Sequence, residues 1–360
     1  MKLAFIGHHV APIRPPFAGG VESFTWYLSR WLAARGHEVV LFGAPGSEVP
    51  GVEVRELDLD PWFSGVARGD VSMPPAAFMA AHHAYQQVLL DLAAEDEGFD
   101  LVHCHSLHYL PVAMAATLPM AMLLTLHTPP TPWFEAALRA RTAATPWLNA
   151  VSPQTAALWA QVTPVADVVP NGVDLDAWPA GPGGPAAAWC GRMVPEKAPH
   201  LAIDAARQAG LVLQLAGPIV DPRYWEDEIA PRLGDDVHYA GHLGHGELAR
   251  LLGESCVALM TPAWEEPFGL VAAEAMCAGT PVAAFGCGAL PSLVHPTAGR
   301  IARRGDVADL ARAIGEAVRL PRSAVRAYAR ERFGLDPMGE AYERLYDRIL
   351  ESDLRLLQRT

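Results

Sequence analysis

The feature that most constrains this chain is a rhythm. Short apolar runs, each closed by Gly, His or Ser, alternate with longer amphipathic stretches, and the alternation breaks once and restarts. Runs of this length, spaced by helix-sized segments, suit strands buried on both faces, so the pattern predicts parallel sheets with helices on either side. The first set of predicted strands covers residues 2–7, 38–43, 101–105, 120–126, 147–151 and 166–170. Between the first two, Val21, Phe24, Leu28, Trp31 and Leu32 fall on one helical face, and Gly36 stops the helix. After Asn171-Gly172-Val173 the periodicity dissolves into Pro179-Ala180-Gly181-Pro182-Gly183-Gly184-Pro185. That string lacks the G-x-G-x-x-G and GK[ST] spacings of a phosphate loop and reads as a linker. Strands resume at 186–191, 211–216, 236–240, 256–261 and 281–285, and a helix is predicted over 337–357. The expectation is two α/β units in series, each offering a ligand site beyond the carboxyl ends of its strands.

Bulk properties narrow the partners. At 360 residues the chain exceeds one hydrophobic core, and with 51% apolar residues both units bury cores of their own. A net charge of -13 excludes nucleic acid as the expected partner, so any phosphate must be met by local cations. Lys2 and Lys197 are the only lysines among 27 basic residues, which makes Lys197, in a loop with Gly191 and Arg192, a conspicuous choice. Five cysteines without a C-x-x-C pair suggest free thiols. The opening Lys2–Gly7 reads as a strand rather than a leader, and no apolar run approaches the roughly 20 residues of a spanning helix. A cytoplasmic protein without membrane association is expected.

The strongest local signal is Glu266-Pro267-Phe268-Gly269-Leu270-Val271-Ala272-Ala273-Glu274. Following a predicted strand, Gly269 and Leu270 should open a helix whose unpaired N–H groups and dipole attract phosphate. Glu266 then lies ahead of the helix and Glu274 inside it, facing different parts of one ligand, unless both are merely solvated. Upstream, Gly191-Arg192-Met193-Val194-Pro195-Glu196-Lys197 places a guanidinium and an ammonium on one loop, suited to a diphosphate leaving group. The plainer alternative is a surface pair between Lys197 and Glu196. Gly19-Gly20, ahead of the first helix, allow close backbone approach to a ligand or simply form a tight turn.

These residues, together with Asp100-Leu101-Val102-His103-Cys104-His105, Leu126-His127 and Val168-Val169-Pro170-Asn171-Gly172-Val173-Asp174, occur in the order seen in family 4 retaining glycosyltransferases, which the chain resembles over nearly its whole length. The resemblance implies a GT-B architecture, two Rossmann-like doubly wound parallel-sheet domains facing a central cleft. The expected division is an acceptor domain over 1–172, a nucleotide-sugar domain over 173–343, and a helix over 344–360 crossing back to the first. It also implies a metal-independent transfer with retention of anomeric configuration. By the same resemblance Arg192 and Lys197 hold the diphosphate, assisted by Gly19, Gly20 and the N–H groups near Phe268, Gly269 and Leu270. Glu274 binds the ribose, Glu266 the transferred sugar, and Gly241-His242-Leu243 the base through backbone. His127 matches a histidine near the sugar's C6 end. Ser292 stands where many relatives carry Glu, which leaves the sugar's identity open.

No metal or resident cofactor is expected. Asp58-Leu59-Asp60 and Asp174-Leu175-Asp176 spell a metal-binding string outside a metal-binding context, and His103, His105 and His108 lack matching ligands for zinc. The co-substrate is a UDP-sugar, with a GDP-sugar as nearest rival, and the acceptor a small molecule or glycan. Acceptor choice is expected in loops 8–20, 60–75 and 128–135, where Pro15, Pro16, Trp62, Phe63, Trp133 and Phe134 offer rigid apolar surface. A nucleotide-sugar epimerase, a glycoside hydrolase or a non-catalytic sugar-nucleotide binder remain as alternatives. Oligomeric state is not legible.

Overall fold

Aliphatic runs with no polar face become the central strands of two sheets. In the computed structural model, which describes residues 1–94, 97–140 and 146–357, β1 (Lys2–Ile6), β2 (Glu38–Gly43), β3 (Glu53–Glu56), β4 (Leu101–Cys104), β5 (Ala121–Leu126), β6 (Trp147–Ala150) and β7 (Asp167–Val168) form one parallel sheet in the order β3-β2-β1-β4-β5-β6-β7. A second parallel sheet contains β8 (Ala187–Cys190), β9 (Leu213–Ala216), β10 (Val237–Tyr239), β11 (Val257–Met260), β12 (Val282–Phe285) and β13 (Gly299–Ala302), ordered β10-β9-β8-β11-β12-β13. Both orders reverse beside the first strand of the sheet, at β1/β4 and at β8/β11, the switch points where doubly wound sheets open a ligand crevice. β3 and β13 were not among the expected strands. Both lie at sheet edges, and their sequences Glu-Val-Arg-Glu and Gly-Arg-Ile-Ala carry no continuous apolar run, because only one flank is paired.

The chain divides into two units, Met1–Ala150 with Ala156–Val169 and Gly339–Thr360, and Val151–Thr155 with Pro170–Met338. The division differs from the expected boundaries in three places, one being that the second unit resumes at Pro170 rather than at 173. Val151–Thr155 packs with the second unit, where the Thr155 hydroxyl donates to the Pro267 carbonyl at 3.1 Å. The return to the first unit begins at Gly339, inside the helix Leu335–Leu357, rather than at 344; residues 358–360 lie outside the described residues. Within the first unit this helix docks through buried polar contacts. Asn149 Nδ2 donates to the Tyr342 hydroxyl at 2.9 Å, and the Tyr346 hydroxyl meets His103 Nδ1 at 2.7 Å.

The Pro-Gly stretch 179–185 is corrected as well. It has no regular secondary structure, yet it is fastened to the second unit rather than free as a linker. Gly181 N–H donates to the Ala278 carbonyl and Gly183 N–H to that of Gly253. Arg322 clamps the same region, donating to the carbonyls of Gly253 and Ser255, both at 2.8 Å, and to the Thr280 hydroxyl at 2.9 Å.

Candidate active site

In the second unit, β8 ends at Cys190 and delivers the loop Gly191–Ala198 to the carboxyl edge of the sheet. The loop is tied to the one following β11. Ala263 N–H donates to the Glu196 carbonyl at 2.8 Å, and the Thr261 hydroxyl meets the carbonyls of Lys197 and Ala198 at 3.1 and 3.0 Å. Ala198 holds φ +46°, a left-handed conformation costly for a residue with a side chain, as it turns the loop into the helix Pro199–Gln208. The result is that Lys197 Nζ lies 2.6 Å from Glu266 Oε2. Lys197 therefore does not take Glu196, which instead sits 3.4 Å from Arg192.

A third group joins the pair. Trp264 Nε1 donates to the same Glu266 Oε2 at 3.1 Å, and its ring lies 5.0 Å from the Lys197 ammonium. Two donors on one carboxylate oxygen leave Oε1 available to a ligand hydroxyl. Sequence reading missed Trp264, whose role depends on a lysine far upstream. The backbone of Glu266 is fixed from the other side: its carbonyl accepts Ala289 N–H at 2.8 Å, and Gly288, at φ +54°, passes so close that a Cβ would lie 2.1 Å from the Glu266 carbonyl oxygen. Glu265 holds this turn by accepting Gly288 N–H at 3.0 Å and Arg304 at 2.7 Å.

Gly269 then adopts φ +96° and launches the helix Leu270–Cys277. The first N–H groups of a helix have no intrahelical acceptor, so this end presents donors and the positive end of a dipole. Phe268 contributes backbone only, because its ring is buried in the core at 6.3 Å from Phe333. Glu274, one turn into the helix, is partly buried without a hydrogen-bond partner among the described residues, and burial pushes its carboxyl up to about 8. The expected base-binding stretch follows β10: Gly217 N–H donates to the Gly241 carbonyl at 2.9 Å, Leu243 packs on the core, and His242 is exposed. The Ser292 hydroxyl is engaged by the Ala289 carbonyl at 2.9 Å and by Gln154 Oε1 at 3.1 Å.

In the first unit, Gly19 caps the helix Gly20–Ala34 in an extended conformation, with Glu22 folded back to His8 at 3.1 Å. A Cβ on Gly19 would stand 3.0 Å from Glu22 Oε2. His127 follows β5. Its Nε2 lies 3.1 Å from His105 Nδ1, its ring meets the Phe24 ring at 4.8 Å, and burial, reinforced by His8, lowers its pKa to about 3. A neutral imidazole at this position keeps one N–H and one acceptor nitrogen, so it hydrogen-bonds but carries no positive charge at neutral pH. The metal-like strings act as turn caps: Asp58 and Asp174 accept the N–H groups of Asp60 and Asp176, each at 3.1 Å.

Two Rossmann-like sheets, with a cation-bearing loop tied to Glu266 ahead of a helix terminus in the second, mark an enzyme class, the glycosyltransferases of GT-B architecture, which move a sugar from a nucleotide-sugar donor. Family models match both units, Glycosyltransferase Family 4 over residues 18–177 and Glycosyl transferases group 1 over 179–332. The chain belongs to family 4 of the glycosyltransferases and is a hexosyl-type enzyme. It is 29% identical over 412 residues to the D-inositol 3-phosphate glycosyltransferase of Actinosynnema mirum, spanning 98% of this chain and 95% of the relative. Among solved structures it resembles a glycosyltransferase involved in avilamycin A biosynthesis, with TM-score 0.74, 25% identity and 98% of each chain covered. It also shares its fold with HepE of Anabaena in complex with UDP and glucose, at TM-score 0.75 and 18% identity over 97% of this chain and 100% of that one. The family match displaces the epimerase, hydrolase and non-catalytic alternatives.

Proposed function

We propose that the second unit binds a UDP-sugar and that the enzyme transfers the sugar, with retention and without a metal, to the hydroxyl of an acceptor bound by the first unit. The observation that carries this reading is the Lys197–Glu266 pair at 2.6 Å, braced by Trp264 ahead of a helix terminus. An incoming diphosphate competes with Glu266 for Lys197 and gains Arg192 and the N–H groups at Leu270. Freed of part of its ion pair, Glu266 turns its oxygens to the hydroxyls of the transferred sugar. Glu274 takes the ribose hydroxyls, and the backbone at Gly241–Leu243 takes the base. As the bond between the anomeric carbon and the phosphate oxygen breaks, charge accumulates on the diphosphate, where fixed cations and N–H dipoles stabilise it without a protonated acid. The acceptor oxygen attacks from the same face, and its proton passes to the departing phosphate. His127 is assigned to hydroxyl recognition, in keeping with its neutral state.

UDP is favoured over GDP by the likeness to a fold relative that holds UDP. No resident cofactor is needed, and a cytoplasmic location fits a donor of this kind. The test compares Glu266→Ala with Glu274→Ala by calorimetry and single-turnover kinetics. Glu266→Ala is expected to leave UDP affinity intact while cutting transfer and blurring sugar discrimination, and Glu274→Ala to weaken UDP and UDP-sugar equally. The reverse pattern would exchange the two assignments.

A further inference from the structure

The first unit contains a column of aromatic rings that ends without its last member. Tyr85, fully buried on the helix Ala76–Ala94, donates its hydroxyl to the Gly7 carbonyl at 2.9 Å. His108 lies against it at 5.0 Å between centroids with the planes tilted by 32°, and Tyr109 stacks on His108 at 4.9 Å with the planes 25° apart. Trp133 stacks on Tyr109 at 5.4 Å and 21°. Phe78 flanks Trp133 at 5.5 Å. These rings issue from the carboxyl ends of β4 and β5 and from the helix beside them, the edge at which open sheets receive ligands.

Hydrogen bonds hold the column in place. His108 Nδ1 accepts Leu110 N–H at 3.2 Å, which puts the ring proton on Nε2, and the Tyr109 hydroxyl lies 3.3 Å from His82 Nδ1. His108 Nε2 is buried with no hydrogen-bond partner, so a donor lies unpaired within the column. At the far end Trp133 is 53% exposed although two rings, Tyr109 and Phe78, fix its orientation. An exposed indole held by its neighbours presents a flat, preorganised face, and aromatic rings favour another ring or a C–H-rich sugar face at such spacing. The column carries no formal charge, since burial keeps His108 neutral at physiological pH.

We propose that the open face of Trp133 is the acceptor-docking platform and that the acceptor's non-reacting portion is an uncharged ring, aryl or pyranose, stacked there. This rests on the reading of the first unit as the acceptor domain. The test uses the full chain and three probes, p-nitrophenyl β-D-glucopyranoside, methyl β-D-glucopyranoside and D-glucose 6-phosphate, titrated by calorimetry against wild type, Trp133→Ala and Trp133→Phe. The nitrophenyl glucoside should bind, weaken roughly three- to tenfold in Trp133→Ala and recover in Trp133→Phe. Binding of the methyl glucoside with the same dependence assigns the pyranose as the stacked ring; dependence of the aryl glucoside alone assigns the aryl group. Equal affinity in Trp133→Ala, preference for the phosphate ester, or binding of neither glucoside would overturn the proposal. Titration of UDP in parallel keeps the readings separate: UDP affinity should be the same in all three proteins, and its absence from wild type would remove the donor assignment instead.

Discussion

Glu274 places a stability cost at the proposed ribose contact. Its carboxyl, pushed up to about 8 by burial alone, remains largely protonated in the free enzyme at neutral pH, whereas in the unfolded chain it ionises near 4.5. Between these values the folded state holds more protons than the unfolded one, so stability is lost as pH rises through the window from 4.5 to 8. At pH 8 the full shift amounts to about 4 kcal/mol, and partial solvent contact at this residue reduces the expected loss to about 1–3 kcal/mol. Glu274→Gln removes the titrating group while keeping its shape. The variant should match wild type near pH 4.5 and gain progressively above it, reaching roughly 3–10 °C in melting temperature at pH 8. It should at the same time bind UDP more weakly. Wild-type UDP affinity should rise from pH 6 to 8 with proton release, seen by calorimetry in buffers of different ionisation enthalpy, and this dependence should vanish in Glu274→Gln. A melting difference independent of pH, or a variant less stable than wild type at pH 8, would refute the reasoning.

Lys197→Ala and Arg192→Ala should each slow transfer by roughly ten- to a thousandfold in kcat, with little change in acceptor KM, because both charges are proposed to act on the leaving diphosphate; wild-type rates would reduce the loop to a surface feature. Trp264→Phe, which keeps the ring over Lys197 and deletes the hydrogen bond to Glu266 Oε2, should lower kcat more than UDP affinity and displace the pH–rate profile; an unchanged profile would make the indole a packing group. Acidification should weaken the first unit. Burial depresses His9 and His108 to about 4, His127 to about 3, and His103 and His105 below the usual range, so their neutral forms favour the fold above about 6.5, and that contribution is lost as pH falls toward 4. A melting temperature flat from pH 6.5 to 4.5 would contradict it.

The central strands were legible because burial on both faces forces short aliphatic runs, as in Leu3–Ile6 and Val257–Met260. Edge strands such as Glu53–Glu56 escaped, since half-exposed backbone tolerates charge. The loop following β8 and the helix opening at Leu270 were also readable, because residue type and spacing set them locally. What escaped was set by distant partners. Lys197 pairs with Glu266, 69 positions away, rather than with its neighbour Glu196. The Pro-Gly stretch takes its order from Arg322, 141 positions beyond Gly181. Phe134, expected at an acceptor surface, is buried against Trp159, while Trp133 beside it is exposed. Adjacent residues on a helix point about 100° apart, and only the start of the helix Pro132–Arg139 decides which one turns inward.

The measurement that bears most directly on the account is the fate of UDP-glucose in the presence of EDTA, followed from the first turnovers by proton NMR with wild type and Lys197→Ala. In the proposed mechanism, charge on the diphosphate is met by Lys197, Arg192 and a helix terminus, and the acceptor or water attacks from the face of the departing phosphate. The account therefore predicts release of UDP without added metal, a sugar product that first appears in the α configuration of the donor, and a rate that collapses in Lys197→Ala. A β product, or turnover that stops in EDTA and returns with magnesium or manganese, would contradict it.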